Sequence, residues 1–253
     1  MTARPTPDAT HRAPPTTRLY LVRHGATPLT AEDRFSGATG VDLSDEGRWQ
    51  ADRLGERLRA EGITAVYASP LSRTVETARR VGGACGLEPV LRDGLREISH
   101  GHWEGLTRGE VEARFTDEYA AWAEDPFAFA PAGGESGAAV LARALPVVRE
   151  VVTRHPGGRV VVVSHKATLR LVLSSLLGFD ARGYRDRLDQ APACLNVVDF
   201  RGPVRARLML FNSTEHYAGR PREPRDNLSR WWDDGPHRVP PPPPPPAPPA
   251  APR

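Results

Sequence analysis

The sequence predicts an α/β fold, a three-layer α/β/α sandwich built on a mostly parallel central sheet. Two observations carry this expectation. Short β-branched runs alternate with longer stretches of helical period through the middle of the chain. The strongest run, residues 159–163 with four consecutive valines, is apolar without alternation, as a strand covered on both faces must be. Strand–helix alternation of this kind needs crossovers that return each strand parallel to the last.

Residues 19–22 form the first strand, a short apolar run that stops at Arg23-His24-Gly25. Ser44 then caps a helix with Asp45 and Glu46 in its first turn, Ala51, Leu54 and Leu58 at helical spacing, and Gly62 closing it. Residues 63–68 read as the second strand, and Ser69-Pro70 opens another helix with Pro70 at its first position. A short edge strand follows at 89–91. Two short helices, 107–115 and 117–124, account for most of the aromatic side chains Trp103, Phe115, Tyr119, Trp122, Phe127 and Phe129 as core. The valine strand ends at Ser164-His165 and feeds an apolar helix carrying Leu169, Leu171, Val172, Leu176 and Leu177. Two late strands are expected at 195–200 and 206–211.

Composition bounds the rest. The chain has 253 residues with 39% hydrophobic and 26% charged, an ordinary globular balance for one domain with appended ends. Ten of the 26 prolines fall in residues 240–253. Residues 1–17 are expected to be a disordered arm, 18–219 the folded domain and 220–253 a disordered tail, whose polyproline end is a solvated appendage or a ligand for a proline-recognition domain. The net charge is only +3 and the arginines are dispersed, so no nucleic-acid partner is expected. No run approaches the roughly 20 apolar residues of a membrane span. Cys85 and Cys194 are isolated, with neither zinc-site spacing nor a disulfide framework, and the chain reads as cytoplasmic. Lys166 is its only lysine.

Sheets of this kind bind ligands outside the carboxyl ends of their strands. There the first strand delivers Arg23 and His24, the second Ser69 and then Arg73, and the valine strand Ser164 and His165. Two arginine forks aimed at one point suit a phosphoryl group. A neutral imidazole can attack phosphorus and carry the group covalently. The leaving alkoxide then needs a proton, and Glu97, beyond the edge strand, is placed to give it. Glu104 lies near it in sequence as a rival.

These residues resemble the histidine phosphatase superfamily, also called phosphoglycerate mutase-like. Leu21-Val22-Arg23-His24-Gly25 resembles its signature segment. Arg34-Phe35-Ser36-Gly37, Asp42-Leu43-Ser44 with Gly47, Ser69-Pro70-Leu71-Ser72-Arg73-Thr74 with Glu76-Thr77-Ala78, Gly133-Gly134-Glu135-Ser136 and Ser164-His165 continue the match in order over residues 18–211. The resemblance implies His24 as phosphorylated nucleophile, Arg23, Arg73 and His165 as ligands of the phosphoryl oxygens, and Glu97 as general acid, since the family's acid follows a leucine by two positions. It implies no metal and no cofactor, and a small-molecule phosphate ester as substrate.

Departures bear on substrate. Many relatives have an acidic residue after the RHG tripeptide, an asparagine six positions beyond the histidine and a small residue after the second histidine; here these are Ala26, Thr30 and Lys166. Thr30, Ser36, Gly37 and Lys166 are the candidate substrate-binding residues. The family's mutases enclose a bisphosphate under a long basic segment. The corresponding cap insertion here, about 98–134, is short and aromatic with only Arg108 and Arg114, which favours hydrolysis. A mutase-type phosphotransferase and a non-catalytic phosphate-binding scaffold are the alternatives. A metal site at His100-Gly101-His102 is a weaker one.

Overall fold

The computed structural model describes residues 15–31 and 34–218. Its single sheet has six strands in the order β3-β2-β4-β1-β5-β6. These are β1 (Thr16–Arg23), β2 (Ala65–Ala68), β3 (Pro89–Leu91), β4 (Arg159–Ser164), β5 (Leu195–Arg201) and β6 (Arg205–Ser213). The strands β3, β2, β4 and β1 run parallel, whereas the two late strands pair antiparallel, β5 on β1 and β6 on β5.

The helices are α1 (Pro28–Ala31), α2 (Asp45–Leu58), α3 (Ser72–Gly83), α4 (Arg108–Arg114), α5 (Thr116–Glu124), α6 (Gly137–Arg154), α7 (Lys166–Leu177) and α8 (Tyr184–Arg187). The period-2 alternation of a strand explains how they cover the sheet. On one face Leu19, Leu21, Val160 and Val162 pack against Ala144, Val148 and Val151 of α6 and Leu169, Val172 and Leu173 of α7. On the other, Tyr20, Val22, Val161 and Val163 meet Leu54 and Leu58 of α2 and Ala78 and Val81 of α3. Four valines in a row are therefore two pairs, each pair committed to a different helical layer.

Three boundaries differ from expectation. β1 begins at Thr16, two residues inside the stretch assigned to the arm, because the Thr17 hydroxyl donates to the His155 carbonyl at 2.8 Å and accepts from Gly157 N at 3.1 Å. Pro70 is not the first residue of α3: Leu71, still extended at ψ 139°, is the cap, and its carbonyl receives the first helical bonds from Thr74 and Val75. α2 ends at Leu58, and Gly62, with φ +66°, serves the turn that follows. The capping expectation for Ser44 holds, its hydroxyl accepting from Gly47 N at 3.1 Å. The arm up to residue 14 and the proline-rich tail lie outside the described residues.

The insertion between Glu97 and α6 carries α4 and α5. Its aromatic residues are mainly its own core: Trp103 and Trp122 are buried with Phe35 and Val111, flanked by Phe115, Tyr119 and Phe129. Thr107 and Glu110 close a reciprocal capping box at the start of α4. Arg185 of α8 lies 4.3 Å over the Trp122 ring and ties the insertion to the main layer.

Candidate active site

The parallel ladders align three strand ends. Arg23 stands opposite Ser164, and Ala68 opposite Val163. One residue further, His24 N donates to the Ser164 carbonyl at 3.0 Å and Ser69 N to the Val163 carbonyl at 3.1 Å. Because β4 lies between β2 and β1, His165 emerges between Ser69 and His24. The two imidazoles sit edge to face with centroids 5.2 Å apart.

His24 is fixed by its own backbone neighbourhood. Its Nδ1 lies 2.7 Å from the Gly25 carbonyl, which can only accept, so Nδ1 carries the proton and Nε2 holds the lone pair. Burial, reinforced by Arg73 and Arg23, drives the His24 pKa well below the ordinary histidine value. The ring is thus held neutral. Gly25 has to be glycine because a Cβ there would stand 2.4 Å from the Gly47 carbonyl, and a Cβ on Gly47 would strike the Ala26 carbonyl at 2.1 Å. That mutual approach seats the first turn of α2 against the nucleophile segment.

His165 is fully buried, with Nε2 2.8 Å from the Ser69 hydroxyl. With Ser69 as donor, the ring carries its proton on Nδ1, which is buried and has no partner among the described residues. Its pKa too is pushed well below the usual value, by burial and then by Arg73. Arg73, also buried, donates from its two terminal nitrogens to the carbonyls of Thr39 at 2.8 Å and Gly37 at 2.7 Å, and its Nε–H has no partner. Arg23 donates to the Gln190 carbonyl at 2.6 Å. That carbonyl is held in turn, since the Gln190 and Asn196 amides bond each other at 2.8 and 3.0 Å.

Glu97 reaches back from beyond β3 to the start of α7. Its Oε1 accepts from the Thr168 amide and hydroxyl at 3.2 and 3.1 Å, and its Oε2 from Ala167 N at 3.2 Å. It caps the helix that begins one residue after His165, so acid candidate and second histidine are fixed by the same turn. Glu104 has a different task. Its oxygens accept from Ala38 N, Thr39 Oγ1, Ser99 Oγ and His100 N at 2.7 to 3.1 Å, which clamps the 37–39 loop that holds Arg73.

The remaining predicted residues fall in two groups. Gly37, at φ +39°, serves through its carbonyl on Arg73, and Ser36 through a carbonyl that accepts from Thr39 N at 3.0 Å. Thr30 exchanges hydrogen bonds with Thr27, their hydroxyls 2.9 Å apart, so that its hydroxyl is engaged in the α1 turn. Lys166 is the first residue of α7. His100 packs on the Phe35 ring at 4.7 Å, whereas His102 pairs with Glu118 at 3.2 Å.

Arg143 was not singled out from the sequence. Its guanidinium binds both oxygens of Glu135 at 2.8 Å and donates to the carbonyls of Gly94, Arg96 and Glu97 at 2.8 to 3.0 Å. Leu95's carbonyl accepts from Ser164 Oγ at 2.8 Å. Four consecutive carbonyls ahead of and including Glu97 are therefore pinned.

A sequence model of the histidine phosphatase superfamily (branch 1) matches residues 19–214. Phosphoserine phosphatase 1 of Hydrogenobacter thermophilus is 37% identical over 163 residues, covering 64% of this chain and 77% of its own. Glucosyl-3-phosphoglycerate phosphatase of Mycolicibacterium vanbaalenii is 36% identical over 168 residues, covering 64% of this chain and 74% of its own. The solved structure of Bacillus stearothermophilus YhfR superposes with a TM-score of 0.74 at 30% identity, covering 79% of this chain and 98% of that one.

Proposed function

The chain belongs to the histidine phosphatase superfamily and is a phosphatase, and from that premise we propose a role for each side chain at the strand edge. The observation that supports the assignment is one imidazole lone pair, His24 Nε2, on a ring 5.2 Å from that of His165, together with two buried N–H groups that have no acceptor among the described residues, Arg73 Nε and His165 Nδ1. Buried donors without partners are uncommon, and phosphoryl oxygens would satisfy them.

In the first step the Nε2 lone pair of His24 attacks phosphorus in line with the ester oxygen. The P–O bond breaks, its electron pair stays on the leaving oxygen, and Glu97 delivers a proton there. Arg23, Arg73 and His165 hold the equatorial oxygens as charge spreads over them, the part a metal ion plays elsewhere. In the second step Glu97 takes a proton from water, the water oxygen bonds phosphorus, and the P–N pair returns to His24. The products are an alcohol and inorganic phosphate.

Hydrolysis rather than transfer follows from the cap at 98–134, whose aromatic groups pack on one another and leave α4 with only Arg108 and Arg114 as basic residues. Both relatives are named for phosphate esters that carry a carboxylate, so a small anionic metabolite ester is the substrate class we assign. The free thiols of Cys85 and Cys194 suit the cytoplasm. Rapid quench with labelled substrate should trap an acid-labile, base-stable phosphoryl group on His24. Label on serine or cysteine, or none, would overturn the reading.

A further inference from the structure

The stretch that follows α8 reaches the strand edge through its backbone. Gln190 presents the carbonyl that Arg23 Nη1 meets at 2.6 Å, and three residues on, Ala193 N donates to the His24 carbonyl at 2.9 Å. Residues 190–193 therefore strap down the nucleophile and one phosphoryl ligand together. Side chains from beyond β5 grip the strap in turn. Asn212 Oδ1 accepts from Ala191 N at 2.7 Å, and the Tyr217 hydroxyl donates to the Pro192 carbonyl at 2.6 Å.

Two buried amides behind the strap have one possible orientation each. The Leu21 carbonyl can only accept and Asn212 N can only donate, so Asn196 turns Nδ2 to the first at 3.1 Å and Oδ1 to the second at 2.9 Å. Gln190 must then set Nε2 against that Oδ1 at 3.0 Å and Oε1 against that Nδ2 at 2.8 Å, while its second N–H reaches the Asp189 carbonyl at 2.9 Å. The backbone carries the cost of this arrangement. Among the described residues, Ala193 and Asn212 are the two non-glycine residues at positive φ, +48° and +49°. Such a conformation persists where the surroundings impose it, and one of the two lies on the strap and the other grips it.

The contact of Asn212 with Ala191 bears directly on Arg23. The Gln190 carbonyl and the Ala191 N–H are opposite edges of one planar peptide group, so they point in opposite directions and turn together. By holding the N–H, Asn212 Oδ1 fixes the line along which the carbonyl meets Arg23. A guanidinium is a rigid plane, so the direction of that one bond limits where the rest of the fork can aim.

We propose that Asn212 is a positioning residue for the phosphoryl site: its side chain orients the Gln190–Ala191 peptide group, and that group aims the Arg23 fork. The proposal rests on the reading of Arg23 as a phosphoryl ligand.

Asn212→Gly makes the test. Glycine suits φ +49° and keeps the backbone N–H on Asn196, so the substitution removes the grip on Ala191 and a long contact with Asp189 Oδ2 at 3.4 Å. On p-nitrophenyl phosphate kcat/KM should fall by about tenfold, the range of one misaimed charged hydrogen bond, with the loss in kcat rather than KM. In an Arg23→Ala background the same substitution should cost less than about twofold, because a residue that works through Arg23 has nothing left to aim. Where Arg23→Ala turns over too slowly to follow, the same cycle is read on the affinity for vanadate, whose five-coordinate form mimics the transferring phosphoryl group. Should Asn212→Gly fail to fold by circular dichroism, Asn212→Ser, too short to reach Ala191, carries the same comparison. A loss below about twofold in the wild-type background, or a loss of equal size in both backgrounds, overturns the positioning role alone. An Arg23→Ala variant as active as the wild type removes Arg23 from the phosphoryl group, and the positioning role falls with it.

Discussion

Arg143 and Glu135 meet in a two-point ion pair, Nε to Oε1 and Nη2 to Oε2, both at 2.8 Å, and the same guanidinium holds the backbone carbonyl of Glu97 at 2.9 Å. Glu135 completes the clamp from its own side, its N donating to the Ser99 carbonyl at 2.8 Å and its Oε2 accepting from Ser99 N at 3.1 Å. The acid's backbone is thereby sewn to the start of α6. Removing the guanidinium frees the Gly94 and Glu97 carbonyls, leaving the Arg96 carbonyl to Thr168 Oγ1 at 2.7 Å, and lets the Glu97 carboxyl drift. A displacement of about 1 Å is worth up to about a hundredfold in rate. Arg143→Ala should therefore lower kcat by about ten- to a hundredfold on alkyl phosphates, with a smaller loss on p-nitrophenyl phosphate and little change in KM. Equal losses on both esters would show a general loss of folding instead.

The acid itself is tested by leaving-group dependence. Glu97→Gln keeps the shape and the acceptor oxygen but has no proton to give the departing alkoxide. Its loss should be large for alkyl esters and small for p-nitrophenolate, which departs with little protonation. Glu104→Gln should lack that dependence, because its oxygens bind Ala38, Thr39, Ser99 and His100. A flat dependence for Glu97→Gln would remove it from the acid role.

The strand ends and the residues on them were legible in the sequence because parallel strands stop where their apolar runs stop. His24, Arg23 and His165 could be placed at one edge before any contact was known. Arg143 could not, since its partners are backbone carbonyls some fifty positions away and an arginine in an amphipathic helix looks like any surface arginine. The antiparallel direction of β5 and β6 left no mark either, because the residue pattern of a strand, buried as in β5 or half-exposed as in β6, does not encode which way it runs. Pro70 misled for a local reason: the helix start shifts past it so that Ser69 can face His165.

Arg73 depends on a loop that tolerates no side chain at Gly37. Gly37 lies at φ +39°, and a Cβ there would come within 2.1 Å of Glu104 Oε1. Gly37→Ala must displace either the Glu104 clamp or the carbonyl that orients Arg73 Nη2. Activity should fall by about a hundredfold, as far as in Arg73→Ala, if the guanidinium stabilises charge in the transition state. His165→Ala should match it. A tenfold or smaller loss in all three, measured as kcat/KM on p-nitrophenyl phosphate, would mean that the phosphoryl group binds elsewhere.

The buried histidines make pH a direct probe. Burial first, then Arg73, lowers the pKa of both His24 and His165 well below the ordinary value, so both rings should stay neutral at pH 6, visible as unshifted ring resonances in a proton–nitrogen spectrum. The sign for stability follows from linkage. Below the unfolded pKa of about 6.5 the unfolded chain binds protons that the folded one refuses, so stability falls as pH drops. Each such histidine adds about 1.4 kcal/mol per pH unit to that slope until its folded pKa is reached. His165→Gln should flatten the slope between pH 6.5 and 5, and Arg73→Ala, which removes the largest charge acting on both rings, should move the His24 titration up toward the ordinary range. If wild type and His165→Gln lose stability with equal slopes over that window, the second histidine is already protonated in the folded protein and could not offer the neutral N–H assigned to it.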